Sequence, residues 1–137
     1  MAKRKPKTVA KLLDEAAVLT QLKVRLKAAD DHGMAQCATC NTRKHYKEMD
    51  GGHYIGRRWT ATKILEENIH CQCKACNGFQ GGALDRYTLF MIDFYGREFV
   101  DELQILKHQT KKYGRQEILD IIAELKHDIK ELESKFT

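Results

Sequence analysis

CATC at residues 37–40 and ENIHCQCKACN at residues 67–77, with MDGGHYIGR at 49–57 between them, decide how this chain folds. Each Cys-x-x-Cys pair, Cys37 with Cys40 and Cys73 with Cys76, presents two thiolates from one tight turn. Together they fill the four tetrahedral positions that zinc prefers. A Cys-x-Cys arrangement lets Cys71 replace Cys73, but a Cys-x-x-Cys turn faces both sulfurs and its backbone amides to one ion, which favours Cys73. Four thiolates close a site to substrate, so this zinc is structural and any chemistry lies elsewhere. The expected product is one zinc knuckle clamping a short β-hairpin, with His53 on one strand and Asn68 to His70 on the other.

Outward from this centre the chain reads as helix. Thr8 caps a segment in which Val9, Leu12, Leu13, Ala16, Leu19, Leu22 and Leu26 recur at steps of three and four, ending by Asp30 to Gly33. Lys23, Arg25 and Lys27 crowd its second half and are candidates for contact with nucleic acid. ALDRYTLFMIDFY at 83–95 is apolar on nearly every side, which predicts a buried helix. Gly96 stops it, and a further helix precedes the KKYG turn at 111–114. In the last helix Ile118, Ile122, Leu125, Ile129, Leu132 and Phe136 form an apolar seam of about three heptads. That seam either packs against the Thr8 helix or carries a homodimer. The predicted class is α+β, mainly helical, with residues 1–7 a basic arm and 8–137 one domain: the N-terminal helix over 8–32, a zinc-braced core over 34–95 and C-terminal helices over 97–137.

At 137 residues and 42% hydrophobic content the chain suits one domain with a modest core, to which the zinc site adds stability. No run of eighteen apolar residues exists and the basic N-terminus lacks the apolar centre of a secretory signal, which predicts a soluble intracellular protein. Five cysteines in a reducing compartment suit metal better than disulfides. A net charge of +5 agrees with a nucleic-acid partner without requiring one.

His53 is the candidate for chemistry. Gly51 and Gly52 permit close approach of a backbone or a phosphate, and Arg57, Arg58 and Lys63 follow within reach of an anion. An imidazole titrating near neutrality can take a proton from water. It still needs a group to hold its tautomer and a metal to stabilise charge on phosphorus.

The order of Cys-x-x-Cys, His53, Asn68, Cys-x-x-Cys and Asn77 resembles the HNH motif of the ββα-metal (His-Me finger) nucleases in zinc-braced form. RLKAADDHG at 25–33, CATC, KEMDGGHYIGRRWTATK at 47–63, EENIHCQC at 66–73, CNGF at 76–79 and YGREFV at 95–100 are more specifically similar to the phage recombination endonuclease family Rap, also called NinG. The resemblance implies a ββα-metal hairpin-helix core and structure-selective cleavage of branched DNA such as D-loops and Holliday junctions. It further implies a phage-encoded protein in the bacterial cytoplasm. Carried over by position, His53 is the general base. Asn68 would hold the imidazole through its side-chain carbonyl and brace the hairpin. Asn77 replaces the usual final histidine as a ligand of catalytic Mg²⁺ or Mn²⁺. The residue before the base, often another ligand, is Gly52 here; Asp50 or His70 fills the gap, and His70 is otherwise a DNA contact with Arg57, Arg58 and Lys63. Branched DNA is the implied partner, no membrane is involved, and a homodimer through the C-terminal helix would suit paired incisions. The alternative is a zinc-containing DNA-binding or adaptor module without catalysis. A cysteine-based redox protein is disfavoured because no βαβ pattern surrounds either cysteine pair.

Overall fold

The structure is a computed structural model that describes residues 5–137. Lys3 and Arg4 of the basic arm lie outside the described residues. Lys7 is tied down: its Nζ pairs with Glu15 at 3.0 Å and its carbonyl accepts from Arg115 Nη1 at 2.7 Å.

Helix α1 spans Val9–Ala28, and the Thr8 hydroxyl caps it by accepting from the Lys11 amide at 3.2 Å. Two short antiparallel hairpins follow, β1 (Met34–Gln36) with β2 (Arg43–His45) and β3 (Met49–His53) with β4 (Ile69–Cys73). The first hairpin is an addition to the sequence reading: three-residue strands carry too little alternation to register as period-two patterns. A π-helical turn over Ala75–Phe79 leads to α2 (Leu84–Tyr95), α3 (Arg97–Leu106) and α4 (Arg115–Glu133).

Helix α1 is the spine. One side lies on the β3–β4 hairpin, and Gly51 makes this possible because a Cβ there would meet the Gln21 backbone at 2.6 Å. Another side packs on α4, where Ile118, Ile122 and Leu125 bury against Leu12 and Ala16. Of the two readings of the α4 seam, packing on the Thr8 helix is the one seen for Ile118, Ile122 and Leu125, whose apolar area is removed from water against α1. The basic residues of α1 also have structural partners. Lys23 Nζ reaches Glu66 at 2.8 Å and Asp128 at 2.9 Å, Lys27 pairs with Glu66 at 2.6 Å, and Arg25 donates to the Tyr46 carbonyl at 3.2 Å. These contacts clamp α1 to α4 and to the loop before β4.

Helix α2 departs from expectation. Only Tyr87 and Met91 are buried on it, while Leu89 and Phe94 are about two-thirds exposed at 67% and 66%. Its buried side meets α3, Tyr54 and Ile55 in a second core, and ten residues of α3 are too few to cover the outer apolar face. No helix among the described residues is long and apolar enough to cross a membrane.

Candidate functional site

Cys37 and Cys40 sit in the turn joining β1 to β2, where the Cys37 amide donates to the Thr42 carbonyl at 2.8 Å and Asn41 adopts a left-handed φ of 65°. Cys73 ends β4 and Cys76 lies in the π-helical turn. Their four sulfurs fall within 4.8 Å of one another. Tetrahedral sulfurs about 2.3 Å from an ion stand roughly 3.8 Å apart, so the cluster can hold a metal such as zinc. The Ala38 amide donates to the Cys71 carbonyl at 2.8 Å and joins the two halves of the clamp. Cys71 is outside the cluster. It is a buried core thiol whose pKa burial pushes up to about 12.

His53 ends β3. Its Nε2 lies 2.7 Å from the Lys63 carbonyl. A carbonyl only accepts, so Nε2 carries the proton and the Nδ1 lone pair is left for other work. Burial lowers the pKa of this half-buried ring, and the Arg57 and Lys63 charges add to that, outweighing the carbonyl bond that favours the proton. The ring is therefore neutral at physiological pH. Asn68 does not hold it. Asn68 is wholly buried; Oδ1 accepts from the Ile55 amide at 2.8 Å, and Nδ2 donates to the Ile55 and Thr62 carbonyls at 2.9 and 3.1 Å. It braces the loop that carries Lys63, so its hold on the imidazole is one step removed.

Asp50 and Asn77, far apart in sequence, touch: Asn77 Nδ2 donates to Asp50 Oδ2 at 3.1 Å. Lys74 donates to the other carboxylate oxygen at 2.8 Å. Burial works to raise the Asp50 carboxyl, but the Lys74 and Asn77 hydrogen bonds and the neighbouring charges prevail and hold it below the usual carboxylate range. Gly52, between Asp50 and His53, leaves room for this pair, because a Cβ there would meet Asn77 Oδ1 at 3.1 Å. No hydrogen bond joins His53 to Asp50 or Asn77. Strand alternation sends Asp50 and His53 from opposite faces of β3, and three residues at 3.3 Å each separate their Cα atoms by about 10 Å.

His70 belongs to neither group. Tyr87 Oη donates to the Gly52 carbonyl at 2.7 Å, so His70 Nδ1 is the donor to Tyr87 at 3.1 Å and Nε2 accepts from Tyr95 at 2.8 Å. With both nitrogens used and aromatic rings around it, His70 serves neither as a metal ligand nor as a DNA contact. Burial pushes its pKa down to about 4. Of the expected phosphate contacts, Arg57 and Arg58 are exposed, with Arg58 stacked over Trp59 at 4.7 Å, whereas Lys63 is committed to Asp14 at 2.5 Å.

The model of the family described as "Bacteriophage Lambda NinG protein" matches residues 2–135. The chain belongs to the NinG family. It is 34% identical over 100 residues to "Protein ninG" of Escherichia phage lambda and 33% identical over 100 residues to "Protein ninG" of Salmonella phage P22, each match covering 70% of this chain and 47% of the relative. "Protein ninG" of Enterobacteria phage H19B is 34% identical over 89 residues, covering 62% of this chain and 42% of the relative. The chain thus spans about half the length of the curated relatives it matches. No solved structure matches it. NinG membership covers nearly all of the chain and includes the cysteine cluster, His53 and the Asp50–Asn77 pair. Gln72, Lys74 and Tyr87 are the residues of this region that the sequence did not single out; a glutamine between two cysteines carries no motif of its own.

Proposed function

We propose that this NinG protein is a metal-dependent endodeoxyribonuclease that hydrolyses phosphodiesters of branched DNA, with the four-cysteine cluster holding a structural zinc. The observation that carries the reading is the His53 ring, neutral, pinned through Nε2–H and offering Nδ1, three residues along one strand from a preformed carboxylate–amide pair. Asp50 and Asn77 fit a hard divalent cation: their donors are oxygens, and the carboxylate already has a monovalent cation, the Lys74 ammonium, at 2.8 Å. Bound Mg²⁺ or Mn²⁺ would neutralise charge on the scissile phosphate and on the 3′-oxygen leaving group. His53 Nδ1 takes a proton from the attacking water. The Lys63 carbonyl keeps the ring in the tautomer that can do so, and Asn68 keeps that loop in place. Arg57 and Arg58 hold the sugar-phosphate backbone without reading bases, so binding is salt-sensitive.

A second reading, a zinc-braced DNA-binding module without catalysis, is favoured by one feature: no contact links His53 to the Asp50–Asn77 pair. Incubation with a four-way junction, a D-loop and linear duplex in Mg²⁺ or Mn²⁺ separates the two. Cutting of the branched substrates that disappears in His53→Ala supports the nuclease. Binding without cutting supports the module.

A further inference from the structure

Gln72 stands directly opposite Asp50 in the β3–β4 ladder and is 0% exposed. Its Nε2 donates to the Gly82 carbonyl at 2.9 Å and to the Thr39 hydroxyl at 3.2 Å, which fixes the rotation of the amide. Oε1 therefore points the other way, and no donor reaches it. Among the described residues it is the one buried side-chain nitrogen or oxygen with no hydrogen-bond partner. Such an orphan is destabilising unless something satisfies it.

Gly52 shows where Oε1 points. A Cβ on Gly52 would collide with Gln72 Oε1 and would meet Asn77 Oδ1 at 3.1 Å. Two carbonyl oxygens thus border one point, beside a carboxylate whose Oδ2 is 3.1 Å from Asn77 Nδ2. The two carbonyl oxygens converge without a donor between them, which a cation satisfies and a hydrogen-bond network does not, while the Asp50 oxygens beside them accept from Lys74 and Asn77. We propose that Gln72 Oε1 is the third protein oxygen of the divalent-cation site formed with Asp50 and Asn77. This rests on the cation site proposed above and assigns to Gln72 the position that Gly52 cannot fill. One carboxylate and two neutral carbonyls form a hard donor set suited to Mg²⁺ or Mn²⁺ with remaining positions hydrated, while zinc is drawn to the thiolates.

The test uses the full chain with its cysteine cluster loaded with zinc. Mn²⁺ binding is measured by electron paramagnetic resonance for the wild type, Asp50→Asn and Gln72→Met, with zinc content and thermal melting as fold controls. In parallel the Gln72 side-chain amide resonances of the wild type are followed during an Mg²⁺ titration. The expected result is one Mn²⁺ site, lost in Asp50→Asn and weakened about tenfold or more in Gln72→Met, with the Gln72 amide resonances shifting on Mg²⁺ addition. If Asp50→Asn weakens binding while Gln72→Met matches the wild type and the amide does not move, Oε1 holds a buried water and the proposal is overturned while the cation site stands. If the wild type binds no Mn²⁺, both fail. Should Gln72→Met not fold, the wild-type amide decides alone: a shift supports the ligand and none overturns it.

Discussion

Asn68→Ala separates a bracing residue from one acting on the imidazole. The substitution removes three hydrogen bonds, from the Ile55 amide at 2.8 Å and to the Ile55 and Thr62 carbonyls at 2.9 and 3.1 Å. The Thr62 carbonyl keeps the Leu65 amide at 3.3 Å, so the groups left bare are the amide and carbonyl of Ile55, a residue only 5% exposed. Two buried orphans at about 1–3 kcal/mol each give a loss of roughly 4 kcal/mol. For a chain of this length about 1 kcal/mol moves the melting temperature by roughly 4 °C, so the expected drop is about 15 °C. Thermal melting by circular dichroism in saturating zinc measures it, and hydrogen exchange at the Ile55 amide locates it. A drop below about 3 °C with Ile55 protection intact would refute the bracing role, and loss of cutting at unchanged stability would return Asn68 to direct contact with the imidazole.

Zinc content should be one per chain and should be lost in Cys37→Ser, with chelation unfolding the centre, because a structural zinc site contributes on the order of 10 kcal/mol; retention of far-ultraviolet signal and tertiary packing after chelation contradicts this. The neutral His70 between Tyr87 and Tyr95 makes stability pH-dependent. Its folded pKa of about 4 lies below the unfolded value of 6.5, so its contribution is complete above pH 6.5 and is lost as pH falls toward 4. The full effect is on the order of 3 kcal/mol, read as a shallower fall in urea midpoint from pH 7.5 to 5 for His70→Gln than for the wild type. Ile122→Ala should cost about 2–5 kcal/mol by opening the α1–α4 interface and leave the molar mass by light scattering unchanged; an intact fold with an altered mass would place the seam between subunits instead.

The cysteine clamp was legible because ligand spacing is a local property: two residues between thiolates set a turn whatever surrounds it. The α1 and α4 helices were equally plain from the recurrence of Leu12, Ala16 and Leu19 and of Ile118, Ile122 and Leu125, though not which surface they would cover. A heptad seam reports that apolar area must be buried, not by what. Helix α2 differs for a related reason, since Leu89 and Phe94 look like core residues and no element among the described residues lies over them. At the candidate site, His53 and Asn77 stand out by motif. What holds His53 does not, because the Lys63 carbonyl is backbone, and the withdrawal of His70 from the site is equally hidden, because the Tyr87 and Tyr95 hydroxyls that claim it arrive from α2 across the fold. Gln72 was invisible for the same reason, its part being set by Gly82 and Thr39 from two other segments.

The proposed nuclease activity depends on the His53 imidazole taking a proton from the water that attacks a branched DNA backbone. Single-turnover cleavage of a labelled four-way junction in Mg²⁺, wild type against His53→Ala at matched zinc content and folding, decides whether it does. The expected result is junction cutting by the wild type and loss of at least about a hundredfold in rate for the variant, the scale of a general base. Equal cutting by both proteins, or junction binding without cutting by the wild type, would rule out His53 as the general base.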